Sequence, residues 1–226
     1  ELVSTDVPKA FLQGVTYAEL AEMTGEPLME ANFYFPPASI EILKKIAGFE
    51  NFNPALEVLH NDKPGTGSVE APSACSMKLK QVLIDTCHMI PTKCDPELLT
   101  LRKVDTLVAI MTVHVDDLKI ASEPADIEKI IGALEAVFGK LILQRRNFTN
   151  YGVRHRQADD FTVRLDQDEY VAALKPISHP KLSSPTTDIV EGELYDLFRS
   201  LLGAIAYATI TRVDIAVFVV ALQRNN

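Results

Sequence analysis

Three aspartates have the residue type and placement to hold divalent cations. Asp116 and Asp117 stand side by side in Met111-Thr-Val-His-Val-Asp-Asp-Leu-Lys-Ile-Ala121, where β-branched and apolar residues run up to the acids and resume after them. That pattern predicts a hairpin with the carboxylates at its tip. Asp6 opens the segment Asp6-Val-Pro-Lys-Ala-Phe-Leu-Gln-Gly14. Held on neighbouring strands, three carboxylates make an oxygen-ligand site for two divalent cations, the arrangement that phosphoryl and nucleotidyl transfer needs. An Asp-Asp pair also fits a plain turn, because its side chains bond nearby backbone groups. The pair by itself leaves both readings open.

The surrounding elements must bring the acids together. Residues 1–15 read as a strand that turns at Gly14, with short helices at Tyr17–Met23 and Ile40–Ala47, each followed by glycine. Val58–Gly67 reads as strand and loop, and Pro72 opens a helix running through Leu83. Leu98–Leu101 and Leu107–Val113 predict antiparallel strands, the second leading into the acidic tip. After it, Ile127, Ile130, Ile131, Leu134, Val137 and Phe138 recur with helical period. Ser122 is the expected N-cap, Pro124 falls in the first turn and Gly139 ends the helix. Asp126 and Glu128 complement the positive helix end. Phe148–Val153 and Phe161–Leu165 predict a further hairpin, and Asp168–Leu174 a short helix. The loop Lys175–Thr187, with Pro176, Pro180 and Pro185, precedes a mostly helical stretch at Glu193–Leu222. The fold class is α+β: a palm-like antiparallel sheet with packed helices at residues 1–156 and a smaller helical region at 157–226.

Composition narrows the function. The 226 residues are 47% hydrophobic, enough for a sizeable core. A formal charge of −9 and a pI near 5.1 argue against a free-standing nucleic-acid binder, whose affinity comes from neutralised phosphates. One segment departs from this: Arg145, Arg146, Arg154 and Arg156 lie in Gln144–Arg156 with no acid among them. Cys75, Cys87 and Cys94 form no paired framework and suggest a reducing intracellular compartment. The most apolar stretch, Leu197–Leu222, is interrupted by Arg199, Arg212 and Asp214, so no membrane span is expected.

Four colinear segments carry a resemblance. Asp6-Val-Pro-Lys-Ala-Phe-Leu-Gln-Gly14 resembles the first polymerase motif of Ty1/copia-type retrotransposon reverse transcriptases, and Val113-His-Val-Asp-Asp117 resembles their Tyr-Val-Asp-Asp box. Gln167-Asp-Glu-Tyr170 resembles the Gln-x-x-Tyr segment downstream. Phe198-Arg-Ser-Leu-Leu-Gly-Ala-Ile-Ala-Tyr207 with Thr211-Arg-Val-Asp-Ile215 resembles the block near the end of that domain. The resemblance implies RNA-directed DNA polymerase chemistry with Mg²⁺ or Mn²⁺ held by Asp6, Asp116 and Asp117. It adds the Val7 carbonyl as a further ligand and Phe11 beneath the incoming sugar. Arg145, Arg146, Arg154 and Arg156 would lie on the hairpin that grips an RNA/DNA primer–template. As residues alone, Phe11 equally fits the core, and the arginines a solvated face or a contact to an acidic protein.

The departures fall where substrate should bind. Where the family favours Tyr-Gly-Leu-Lys-Gln-Ala-Pro-Arg-x-Trp, this chain has Thr66-Gly-Ser-Val-Glu-Ala-Pro-Ser-Ala-Cys75. Val69, Glu70 and Ser73 thus replace lysine, glutamine and arginine, a change toward repelling phosphate. The family also carries a fingers region ahead of its first motif. With Glu1 so close to Asp6 and no initiator methionine, the sequence is expected to be a processed product, a fragment or a partly known sequence, here without that region. The isolated chain is therefore expected not to polymerise. The alternative is a domesticated, non-catalytic structural or interaction subunit of a larger assembly with protein partners.

Overall fold

The computed structural model describes residues 1–183 and 191–224. It divides into two compact units, Glu1–Leu143 and Gln144–Asn226. The elements of the first are β1 (Leu2–Asp6), α1 (Tyr17–Thr24), β2 (Ala31–Phe33), α2 (Pro37–Leu43), β3 (Leu59–Asn61), α3 (Ala71–Gln81), β4 (Ile90–Pro91), β5 (Leu98–Lys103), β6 (Thr106–His114), β7 (Asp117–Ser122) and α4 (Pro124–Phe138). Then come β8 (Ile142–Arg145), β9 (Asn147–Asn150), β10 (Val153–Gln157), β11 (Val163–Asp166), α5 (Asp168–Ala173), α6 (Glu193–Ala208) and α7 (Ala216–Gln223). The chain mixes α and β structure: a six-stranded antiparallel sheet in the order β4-β5-β6-β7-β1-β8, with seven α-helices among the described residues.

Burial of one sheet face explains the architecture. Along β6, Ala109, Met111 and Val113 are buried while the residues between them are not; Leu118 and Ile120 continue the same face on β7. Period-two alternation of this kind turns one side of a sheet into a core wall. Ile127, Ile130, Ile131, Leu134 and Phe138 of α4 join that core, as do Cys75 and Leu79 of α3. The helix α3 continues into a π-helical turn, Val82–Thr86, that buries Val82 and Leu83.

Several boundaries differ from the sequence expectation, each for a local reason. The N-cap of α4 is Glu123 and not Ser122. Ser122 is still paired in β7, opposite Ala109, and its Oγ donates to the Val108 carbonyl at 2.7 Å. Pro124, with φ preset and no N–H to satisfy, starts the helix two residues after it. The helix expected at Ile40–Ala47 runs instead over Pro37–Leu43, because a proline pair sets its entry. The strand expected at Phe148–Val153 is broken: Tyr151 (φ 49°) and Gly152 (φ 72°) make a tight turn joining β9 to β10. Both positive φ values suit the right-handed twist of a two-residue hairpin. β10 then pairs with β11, giving a three-stranded meander. Pro185 and the end of the Lys175–Thr187 loop lie outside the described residues. No helix among the described residues is long and apolar enough to cross a membrane.

Other expectations hold closely. α1 is bounded by a capping box, in which Thr16 Oγ1 accepts from the Glu19 amide at 3.1 Å and Glu19 Oε2 accepts from the Thr16 amide at 2.7 Å. Gly25 closes it in the left-handed region, at φ 73°.

The core assignment makes a direct prediction. Leu134, fully buried, should lose about 2–5 kcal/mol on substitution by alanine. Val137→Ala on the exposed side of the same helix should change stability by less than about 0.5 kcal/mol. Urea unfolding of the two variants measures the contrast.

Candidate metal centre

Backbone pairing brings the sequence-distant Asp6 to the same end of the large sheet as the adjacent Asp116 and Asp117. β1 lies antiparallel to β7 with Asp6 directly opposite Asp117. β6 and β7 form a hairpin closed by the His114–Asp117 pair, which leaves Val115 and Asp116 as its two turn residues. The Val7 amide donates to the Asp116 carbonyl at 3.0 Å, tying the exit of β1 to that turn. Val115 is left-handed, φ 58°, at a turn position that favours glycine. A β-branched residue there stores strain of order 1–3 kcal/mol, a feature that collects at functional sites.

The carboxylates sense one another. The Asp6 carboxyl is raised above the ordinary range, by partial burial first, then by Asp116 and Asp117; a hydrogen bond with the Val7 amide works in the opposite direction. Cys75 of α3, fully buried, has its thiol pushed up to about 11 by burial, with the Asp116 and Asp6 charges adding to it. At neutral pH it therefore stays protonated and adds no fourth negative charge. Among the described residues, no group of three or more His, Cys, Asp or Glu side chains is gathered closely enough to hold a metal ion. The donor chemistry nonetheless suits a hard cation: three carboxylates, mutually repelling and partly solvated, are the ligand type that Mg²⁺ and Mn²⁺ take.

Neighbouring residues show how the site is supported. Gly14 is required by close approach: a Cβ there would stand 2.9 Å from the Ala74 carbonyl carbon and 3.0 Å from the Cys75 nitrogen. The Val15 amide bonds the Ala74 carbonyl at 3.2 Å, so this glycine seats the loop after β1 on α3. Sequence reading found only a turn at Gly14; the contact is non-local and has no local signature. Phe11 is half-buried and packs against the core, and Val7 is buried. Val69, which stands where the resemblance has lysine, is 89% exposed, and Ser73 is exposed as well.

The arginine segment lies in β8, β9–β10 and the bend between β8 and β9. Three of its members pair with carboxylates from later in the chain: Arg146 with Asp159 at 2.8 Å, Arg154 with Glu169 at 3.8 Å, and Arg156 with Asp166. Sequence reading saw no acid within Gln144–Arg156 and missed these partners, which strand pairing and the following helix supply. Asp159 is fully exposed, so its pair is the screened surface kind that contributes little.

The two downstream motifs also meet. Tyr170 donates to the Ala204 carbonyl at 3.0 Å, and its ring stands edge-on to Tyr207 at 5.3 Å. Thr211 Oγ1 donates to the buried Gln167 Oε1 at 2.9 Å. Gln167, Tyr170, Tyr207 and Thr211 thus act as a structural clasp between α5 and the end of α6.

No protein-family model, curated protein or solved structure matches the chain.

The acid cluster should register in stability. Because the Asp6 pKa is raised on folding, the folded state holds its proton through a pH window starting at the ordinary value of 3.8, and stability falls as pH rises through it. Asp6→Asn removes that penalty. The variant should melt above wild type at pH 7, and the gap should close below pH 3.8. A pair of pH-dependent melting series checks the sign.

Proposed function

We propose that this chain is a reverse-transcriptase-like protein of the Ty1/copia type whose inherited chemistry is RNA-directed DNA polymerisation, and that the isolated chain does not itself extend a primer. The observation that carries the reading is the register that sets Asp6 opposite Asp117, with the Val7 amide on Asp116. Local turn chemistry explains an acidic pair at a hairpin tip. It does not explain a third acid brought to the same tip by the far end of the chain.

Asp6, Asp116 and Asp117 would hold the ions, with Mg²⁺ or Mn²⁺ supplying Lewis acidity at the α-phosphate and a more acidic primer 3′-hydroxyl. The Val7 amide ties the Asp116 backbone to the exit of β1, which supports a fixed main-chain position for that acid. Phe11 would floor the sugar site from the turn after β1. Arg145, Arg146, Arg154 and Arg156 would face the primer–template, with Arg146 and Arg154 exchanging exposed carboxylates for phosphates.

The segment Thr66–Cys75 accounts for the missing activity. Val69 and Ser73 offer no charge at exposed positions, and Glu70 repels phosphate. A second reading follows from the same residues: a domesticated, non-catalytic subunit that keeps the fold and serves a protein assembly.

Two measurements test the proposal. Mn²⁺ titration followed by electron paramagnetic resonance should show binding that Asp6→Asn, Asp116→Asn and Asp117→Asn each weaken roughly tenfold or more, the loss of one charge-assisted ligand. Wild type that binds no Mn²⁺ would leave only the subunit reading. Primer extension on an RNA template should be absent; metal-dependent extension abolished by Asp116→Asn would show a working polymerase and overturn the second half of the proposal.

A further inference from the structure

Away from the acid cluster, departures from regular geometry converge on one cavity of about 450 Å³ in the first unit. The π-helical turn Val82–Thr86 exits into it through Thr86, Cys87 and His88, and His88 is left-handed at φ 56°. On the opposite wall, the β5–β6 register shifts between Leu101 and Arg102, and both residues line the cavity. Turns of the π type and strand irregularities are disproportionately found at functional sites, where they re-aim side chains that regular geometry would point elsewhere.

The lining has two chemistries. Leu101, Cys87 and Ala133 pack on the hydrophobic core, with the buried Ile130 beside them, and form an apolar floor. Arg102, Lys103 and Lys129 supply three cations against one acid, Asp126. Asp126 is only 7% exposed, and Lys103 Nζ donates to both its oxygens at 2.7 and 2.8 Å, holding its carboxyl below the usual range. Lys129 Nζ stands 3.7 Å from the same carboxylate. Asp126 therefore matches one cation, and the lining keeps a positive excess within a chain of formal charge −9. A positive cleft with an apolar floor concentrates anions that also carry an apolar body.

We propose that this cavity binds a small amphiphilic anion: a carboxylate or phosphate head against Arg102 and Lys129, and an aliphatic or aromatic body on Leu101, Ile130 and Ala133. The Lys103–Asp126 pair shapes the rim and orders the first turn of α4. The volume lies within the range of small-ligand pockets. This site is independent of the three aspartates and of the chemistry proposed for them.

The probes are octanoate and phenyl phosphate, with octanol and phenol as neutral counterparts and inorganic phosphate as the head alone. Amide resonances of the isotopically labelled chain report where they bind. Alkylation of Cys87 reports cavity occupancy, with the exposed Cys94 as internal reference. Both anions should shift amides at 86–88, 101–103 and 126–133 and slow Cys87 alkylation while leaving Cys94 unchanged. Arg102→Gln and Lys129→Gln, both at exposed side chains, should each weaken binding roughly tenfold, as loss of a charge-assisted contact does. Neutral counterparts or inorganic phosphate binding as tightly as the amphiphilic anions would overturn the proposal, and that comparison needs no variant. Failure of both anions to bind, shifts confined to other residues, or unchanged affinity in variants of unchanged melting temperature would overturn it equally.

Discussion

Insertion of β1 between β7 and β8 is the constraint on which the first unit depends. Register along β1 is fixed from Leu2 opposite Ala121 to Asp6 opposite Asp117. Its inward residues, Val3 and Thr5, join the buried face, and Thr5 Oγ1 donates to the Ile142 carbonyl at 3.1 Å. A slip by one residue would take Val3 off the core face and turn the Asp6 carboxylate toward it, where an unpaired charge is far more costly than the apolar contact is favourable. The placement of Asp6 beside the hairpin is thus enforced by hydrophobic burial, not by any attraction among the acids, which repel.

That repulsion works against the pairing that brings the acids to one end of the sheet. Asp6 titrates high, the Val115 backbone is left-handed, and Cys75 stays protonated beneath them. Cross-strand pairing at β1–β7 and the seating of Gly14 on α3 oppose the strain locally.

What was legible in the sequence was what depends on short-range pattern. The α4 stripe, the β6–β7 hairpin with its acidic tip, α1 with its closing glycine and the helical region after Gly192 all follow from periodicity and turn chemistry. The three acids were legible as candidates because their types and contexts are local too. The approach of Asp6 to the adjacent pair was expected through the resemblance and not from local pattern, since it comes from pairing across most of the first unit. Contacts between distant segments escaped for the same reason: Gly14 against Ala74 and Cys75, the carboxylates facing the arginines, and Asp126 with Lys103. The sequence suggested for Asp126 only a helix-end role, whereas its side chain is nearly buried under a lysine from β5. Ser122 misled because it is a good cap in isolation, and the strand ladder claimed it first.

The strand order also bears on how the chain is made. β1 precedes both of its partners in the chain, and one of them, β8, follows α4. At the usual ~5–20 residues per second, β1 leaves the ribosome on the order of ten seconds before both of its neighbours exist. Through that interval Leu2, Val3 and both of its hydrogen-bonding edges are open to other chains. Vectorial synthesis thus leaves the strand on which the acid cluster depends unpaired through that interval, a state that holding chaperones would recognise.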